Sequence, residues 1–332
     1  MAHRFFEKYE ELLQKADFIK LCKRLSFQLN GVLGRDLNEV ESVKQWVDIF
    51  NRTPHLNIPG YEISFNSVFI HGFNHSDKGS YPSGVEFDYL NNLTEKRELA
   101  DIIFTTSFYE NNNKILEKIS FNQAKWGAIK RTTSSWEIDK EQLFLLTNFP
   151  RFSGANGSLI PNTDFNIEDF SRCLGSYGLM TTENFIYLSA RNLQQLIGGK
   201  KTINLNDFKS IPSINAHPDY HRYYHYIPSI FSKTFCNNTY EFITDYLSGR
   251  IGEVIIGVFL QNDSARFLFH NILSAIKNLT NSQDFTRDFT EFLNKYGDFN
   301  ENDNLTNVEY KFSENLGIVQ LKIKIDKEKG IE

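Results

Sequence analysis

Two β-rich runs separated by three asparagines constrain this chain more than any other feature. Asp101 to Tyr109 is dense in Ile, Phe, Thr and Tyr, and Asn111-Asn112-Asn113 is a turn signal because Asn tolerates left-handed backbone angles. Ile119 to Lys125 follows as a second run. Two antiparallel strands joined this way bring Asp101 near Gln123 and Lys125. Side chains alternate along a strand, so Gln123 and Lys125 share a face with Ile119 and Phe121, while Ser120, Asn122 and Ala124 point away. The segment Thr94 to Ala100 reads as a short helix entering the first strand, which sets Glu98 one turn before Asp101.

Those residue types suit one kind of chemistry. Mg²⁺ is a hard cation that takes oxygen ligands and keeps several waters, so one or two carboxylates and a phosphate oxygen can hold it. Asp101 and Glu98 offer carboxylates, and Gln123 offers a neutral amide oxygen. A lysine beside such a cation can orient water and balance charge on a phosphate, which is the role expected of Lys125. Mg²⁺ or Mn²⁺ is therefore the expected cofactor, with Glu98, Asp101 and Gln123 as its ligands. Beyond the second strand, Lys125, Trp126, Lys130 and Arg131 form a basic stretch without an acid. Such a stretch fits nucleic-acid contact, phosphate through the cations and base stacking through the indole, or a solvated loop. His71, before Gly72 at the expected end of a strand, is a further candidate for substrate contact.

The segments Glu98-Leu99-Ala100-Asp101 and Gln123-Ala124-Lys125 resemble the core of the PD-(D/E)xK nuclease superfamily. That superfamily has an acid at the start of one strand and an acidic residue, any residue, then Lys on the next. Gln in place of the second acid resembles the Mrr-like restriction endonuclease branch. Phe69-Ile70-His71-Gly72, Arg97 to Asp101, Gln123 to Lys125, Trp136, Gln142 and Phe149-Pro150-Arg151-Phe152 together resemble bacterial proteins with such a core, over residues 66 to 152. The resemblance implies an α/β fold: a restriction-endonuclease-like core with a mixed central sheet flanked by helices, followed by a mixed α/β C-terminal region. It implies a metal-dependent endonuclease acting on DNA, with RNA as a second substrate class, in restriction or antiphage defence. Gln123 removes one formal charge from the metal site, so weaker cation binding is expected. A noncatalytic module of the same fold, binding nucleic acid or a protein, is the alternative.

The chain of 332 residues is long enough for two domains or for one with large additions. Phe6, Tyr9, Leu12, Leu13, Phe18, Leu21, Cys22, Leu25 and Leu29 recur at helical spacing, so residues 5 to 33 read as helix, and so does 39 to 50. The expected units are an N-terminal helical region over 1–60, the nuclease-like core over 61–152 and the mixed region over 165–332. The Gly, Asn, Ser and Pro-rich stretch 153 to 164 forms the boundary. Helices are predicted over 136–149, 190–197, 239–247, 252–261 and 265–279, and strands over 61–73, 176–180 and 185–188. Val319, Leu321, Ile323 and Ile325 alternate with polar residues, as in one strand of a half-buried hairpin.

Net charge is −5 and the isoelectric point is near 6.0, which does not mark a general nucleic-acid binder and leaves any such contact to a local patch. Cys22, Cys173 and Cys236 are too few and too scattered for a disulfide framework or a thiolate zinc site. The N-terminus lacks the apolar core of a secretory signal, and the run Ile251 to Leu260 is too short for a bilayer, so a cytoplasmic protein with no membrane partner is expected. A protein partner or a second copy of the chain is left open. His217, His221 and His225 are spaced four apart, which suits a surface for partners or, on one helix face, zinc.

Overall fold

The helical spacing at the N-terminus folds as three helices, α1 (Ala2–Gln14), α2 (Ala16–Leu33) and α3 (Glu39–Arg52). The computed structural model describes residues 2–70, 82–90, 93–110, 112–127, 135–169, 172–210, 232–257, 261–280, 292, 295 and 315–326. The single helix expected over 5–33 breaks at Lys15, whose backbone is extended. Asn38 starts α3 with a reciprocal capping box, its side chain accepting from the Glu41 N–H while the Glu41 carboxylate accepts from the Asn38 N–H. Such a cap contributes about 1 kcal/mol.

The remaining elements are β1 (Leu56–Ile58), β2 (Tyr61–Ile70), β3 (Gly84–Tyr89), β4 (Leu93–Glu98), β5 (Ile102–Glu110), β6 (Asn113–Trp126) and β7 (Ser135–Glu137). After these come α4 (Lys140–Asn148), β8 (Phe152–Gly154), β9 (Gly175–Met180), β10 (Phe185–Ser189), α5 (Ala190–Ile197), β11 (Thr202–Asn204) and β12 (Phe235–Cys236). The chain closes with α6 (Thr239–Leu247), β13 (Glu253–Ile256), α7 (Asp263–Thr280) and β14 (Leu316–Ile325). The fold is α/β, with seven α-helices among the described residues and a nine-stranded mixed sheet in the order β1-β2-β14-β5-β6-β9-β10-β12, β13 pairing with β6.

β5 and β6 are antiparallel, with Ile102 opposite Asn122 and Ile103 opposite Phe121. β6 then serves two neighbours on its other edge: β13 against Glu117 to Ile119, and β9, in parallel, against Phe121 to Trp126. One face of the sheet packs on α1, α2, α3 and α6 through residues such as Trp46, Phe50, Phe104, Phe242 and Tyr246. The other packs on α4, α5, α7 and the small sheet β4-β3-β8 through Val85, Ile103, Phe121, Leu146, Leu193 and Leu268.

Four local expectations are corrected. The helix expected over 94–100 does not form: residues 94–98 belong to the strand β4, paired with β3 from Gly84 opposite Glu98 to Tyr89 opposite Leu93. The helix-forming Glu, Lys and Arg of that stretch yield to the ladder and to packing. Residues 253–256 are a strand, as their β-branched Val254-Ile255-Ile256 core suits, and not the start of a helix. Trp136 belongs to β7, paired with β11, and the helix after it starts only at Lys140, with Asp139 as N-cap. β14 is no half of a hairpin. It lies between β2, antiparallel, and β5, parallel, and Gln320 in its middle is fully buried, its amide donating to Ser107 Oγ at 3.2 Å.

The stretch 153–164 is integral to the core: Phe152–Gly154 pairs with β3, and Leu159 and Ile160 are buried. Residues from all three expected units meet in the one sheet, β1 from the first, β2, β5 and β6 from the second, and β9, β10 and β14 from the third. β9 closes on α4 at Gly175, where an added Cβ would lie 2.1 Å from the Leu146 carbonyl oxygen. Gly175→Ala is expected to cost about 1–3 kcal/mol through this backbone clash, read as a lower urea midpoint. An unchanged midpoint would contradict the placement of α4 on β9.

Candidate active site

The β5–β6 register, extended by one residue, puts Asp101 across from Gln123 at the point where the two strands part. The Asp101 N–H donates to the Asn122 carbonyl at 3.0 Å. Its carboxylate Oδ2 accepts from the Ala124 N–H at 2.7 Å and from the Gln123 side-chain amide. Asp101 thus caps the end of the ladder while standing half-buried at its mouth. Gln123 is buried, and its Oε1 has no hydrogen-bond partner. An unsatisfied buried polar atom costs about 1–3 kcal/mol.

Lys125, two residues on, ion-pairs with Glu39 at 3.7 Å. Burial lowers its pKa; attraction to Glu39, then to Asp101, Glu98 and Asp139, outweighs this and holds it above the ordinary lysine value. Lys125 is therefore an ammonium at neutral pH, and those four acids surround it. Glu39 is the first residue of α3, and its other oxygen accepts from the Trp126 N–H at 3.3 Å.

Glu98 arrives at the end of β4, buried, with its backbone carbonyl accepting from the Gln142 side chain. The same Gln142 is held by Asp139, which caps α4 by accepting from its N–H at 2.7 Å. Burial raises the pKa of Asp139, but the Gln142 N–H and the Arg97 guanidinium at 3.3 Å bring it below the ordinary carboxylate value. On β9, Tyr177 lies in register with Gln123. It is fully buried and its hydroxyl has no hydrogen-bond partner. Burial raises its pKa, and so do Asp139 and Asp101, which places it in the field of the same cluster.

Glu98, Asp101, Gln123 and Lys125 are thus drawn to one end of the sheet. Trp126 turns to the other layer: its indole N–H donates to Ser42 Oγ at 3.2 Å and its ring packs half-buried against the α3 side. That commits the indole to packing instead of base stacking. His71, Lys130 and Arg131 lie outside the described residues, as do His217, His221 and His225. Glu39, Asp139 and Tyr177 were not signalled. Glu39 is distant in sequence from any strand of the site, Asp139 is concealed inside an expected helix, and Tyr177 reads as an ordinary strand aromatic between Ser176 and Gly178.

Two carboxylates and a buried amide oxygen without a partner are oxygen donors of the class that hard divalent cations take. Among the described residues, no three His, Cys, Asp or Glu side chains gather as a metal site. No helix of the described residues is long and apolar enough to cross a membrane. Comparison with protein-family models, with curated proteins and with solved structures finds no match to this chain.

The Glu39 pairing can be tested by pH. A lysine whose folded pKa is raised adds stability that is fully present below its unfolded value of about 10.4 and is lost as pH climbs through the folded one. Glu39→Gln removes the largest attraction, so Lys125 is expected to deprotonate at lower pH, with the alkaline window of extra stability narrowed. The ε-carbon shift of Lys125 in a ¹³C NMR titration reads this, and an unmoved midpoint would contradict the pairing.

Proposed function

We propose that this chain is a metal-dependent nuclease with a restriction-endonuclease-like core, hydrolysing phosphodiester bonds in DNA. The observation that carries the reading is the convergence of Asp101, Gln123 and Lys125 at the parting of two antiparallel strands, with Glu98 and Glu39 beside them. The acid at the head of β5, the Gln-Ala-Lys on β6 and the covering helix α4 are the parts that the superfamily resemblance calls for.

Asp101, Glu98 and the Gln123 Oε1 would hold Mg²⁺ or Mn²⁺. When bound, the cation polarises a phosphoryl oxygen and acidifies a water. Lys125 enters this scheme as a fixed positive charge. Protonated at neutral pH, it orients the attacking water and stabilises charge growing on the phosphate, and it does not serve as the general base. Glu39 keeps the ammonium in place, and Gln142 with Asp139 sets the backbone of Glu98.

One observation favours a second reading. Asp101 Oδ2 already receives two hydrogen bonds from β6, a purely structural use of the carboxylate, and this suits a noncatalytic module that binds nucleic acid or protein. Incubating the full chain with plasmid DNA, single-stranded DNA and RNA in Mg²⁺ or Mn²⁺ separates the two. Nicking or cleavage of DNA is expected from the wild type, abolished by Asp101→Ala or by EDTA and reduced about 10²–10³-fold by Lys125→Ala, as for loss of one preorganised charge. Equal cleavage by all three proteins would overturn the assignment of the site. DNA retention on a gel without cleavage would favour the noncatalytic module.

A further inference from the structure

Tyr177 belongs to the site by position: its ring packs in the core, and its hydroxyl has no hydrogen-bond partner. It stands in register with Gln123 on the adjacent parallel strand, and its hydroxyl is wholly buried. Both its oxygen and the Gln123 Oε1 lack any hydrogen bond. A phenol and an amide oxygen are complementary donor and acceptor, and neither satisfies the other. Buried polar groups are almost always paired, with protein or with ordered water. Gln123 and Tyr177 are register partners on adjacent strands, and a water bonded to both would satisfy the pair.

The rest of the neighbourhood narrows the role of such a water. Asp101 and Asp139 both act on the Tyr177 hydroxyl, so the space beside it is electronegative and suits a cation more than an anion. Full burial of the ring keeps a nucleic-acid phosphate away from the hydroxyl, so only a group as small as a water fits the role. A hard divalent cation keeps part of its hydration shell, and groups that bond to its ligands from outside orient them. We propose that Tyr177 is a positioning residue of this site, donating its hydroxyl hydrogen to a water in the hydration shell of a divalent cation held by Asp101 and the Gln123 Oε1. The proposal rests on the metal-site reading above and names a residue which that reading does not require.

Tyr177→Phe deletes one oxygen and keeps the ring. Titration of the full chain with Mn²⁺, followed by electron paramagnetic resonance of the free ion, gives the affinity of wild type, Tyr177→Phe and Asp101→Ala. Thermal unfolding without divalent cations gives the stability of each. Tyr177→Phe is expected to weaken Mn²⁺ binding about 10–100-fold, the usual effect of losing an outer-shell partner, while leaving cation-free melting unchanged or higher because an unsatisfied group has gone. Asp101→Ala is expected to lose the binding. Wild-type affinity in Tyr177→Phe alongside loss in Asp101→Ala would overturn the role of the tyrosine and leave the site standing. A lower cation-free melting temperature in Tyr177→Phe would also overturn it, since the hydroxyl would then be satisfied in the empty fold. Absence of Mn²⁺ binding by wild type, or binding untouched by Asp101→Ala, would sink both readings together.

Discussion

The β5–β6 register sets Ile102 against Asn122, and everything at the candidate site is reckoned from that pairing. One further step aligns Asp101 with Gln123, and two residues along the same face comes Lys125. Because strand side chains alternate, a slip of one residue would turn Gln123 toward the α1-α2-α3 layer and put Asn122 or Ala124 in its place. The register is fixed by the apolar pattern: Ile103 and Phe121 pack in one core, Ile102 and Phe104 in the other. The carboxylate of Asp101 then ends the ladder by accepting from the Ala124 N–H. A burial pattern that stabilises the sheet thereby fixes the site as well.

Much of this was legible locally. Asp101 to Tyr109 and the Asn cluster announced a strand and a turn, and the alternation of Ile119, Phe121, Gln123 and Lys125 announced the shared face. What was not legible depends on pairing between distant segments. Thr94 to Glu98 has helix-forming residues, and only the presence of Gly84 to Tyr89 alongside makes it a strand. Lys322 and Lys324 gave β14 the appearance of a surface strand, although insertion between β2 and β5 buries its middle. Its polar Gln320 is tolerated there because Ser107 on β5 accepts its amide and Asn66 on β2 stands within 3.4 Å as donor. Glu39, 86 residues before Lys125, could be joined to it only by knowing how α3 packs on the sheet.

The electrostatics of the site are more constrained than its residue types suggested. A lysine buried among acids can serve as base or as charge; here the acids win over burial, so Lys125 remains charged. Gln123, at a position where the nuclease pattern it resembles would carry an acid, also has a physical reading. The amide donates to Asp101 with its nitrogen and leaves its oxygen unused, a division of labour that a carboxylate, which only accepts, would not allow beside another carboxylate. Gln123 can therefore hold Asp101 in position and offer a neutral ligand at the same time. In the proposed metal site the missing charge would weaken cation binding, and partners outside the first ring of ligands would gain importance accordingly.

Anomalous X-ray diffraction from crystals soaked in Mn²⁺ tests the central claim most directly. The expected result is a peak bonded to an Asp101 carboxylate oxygen and the Gln123 Oε1 at ~2.0–2.2 Å, within reach of Glu98, with the Lys125 ammonium beside it. A peak elsewhere, or none while both hydrogen bonds to Asp101 Oδ2 persist at saturating Mn²⁺, would contradict the metal site and with it the nuclease reading.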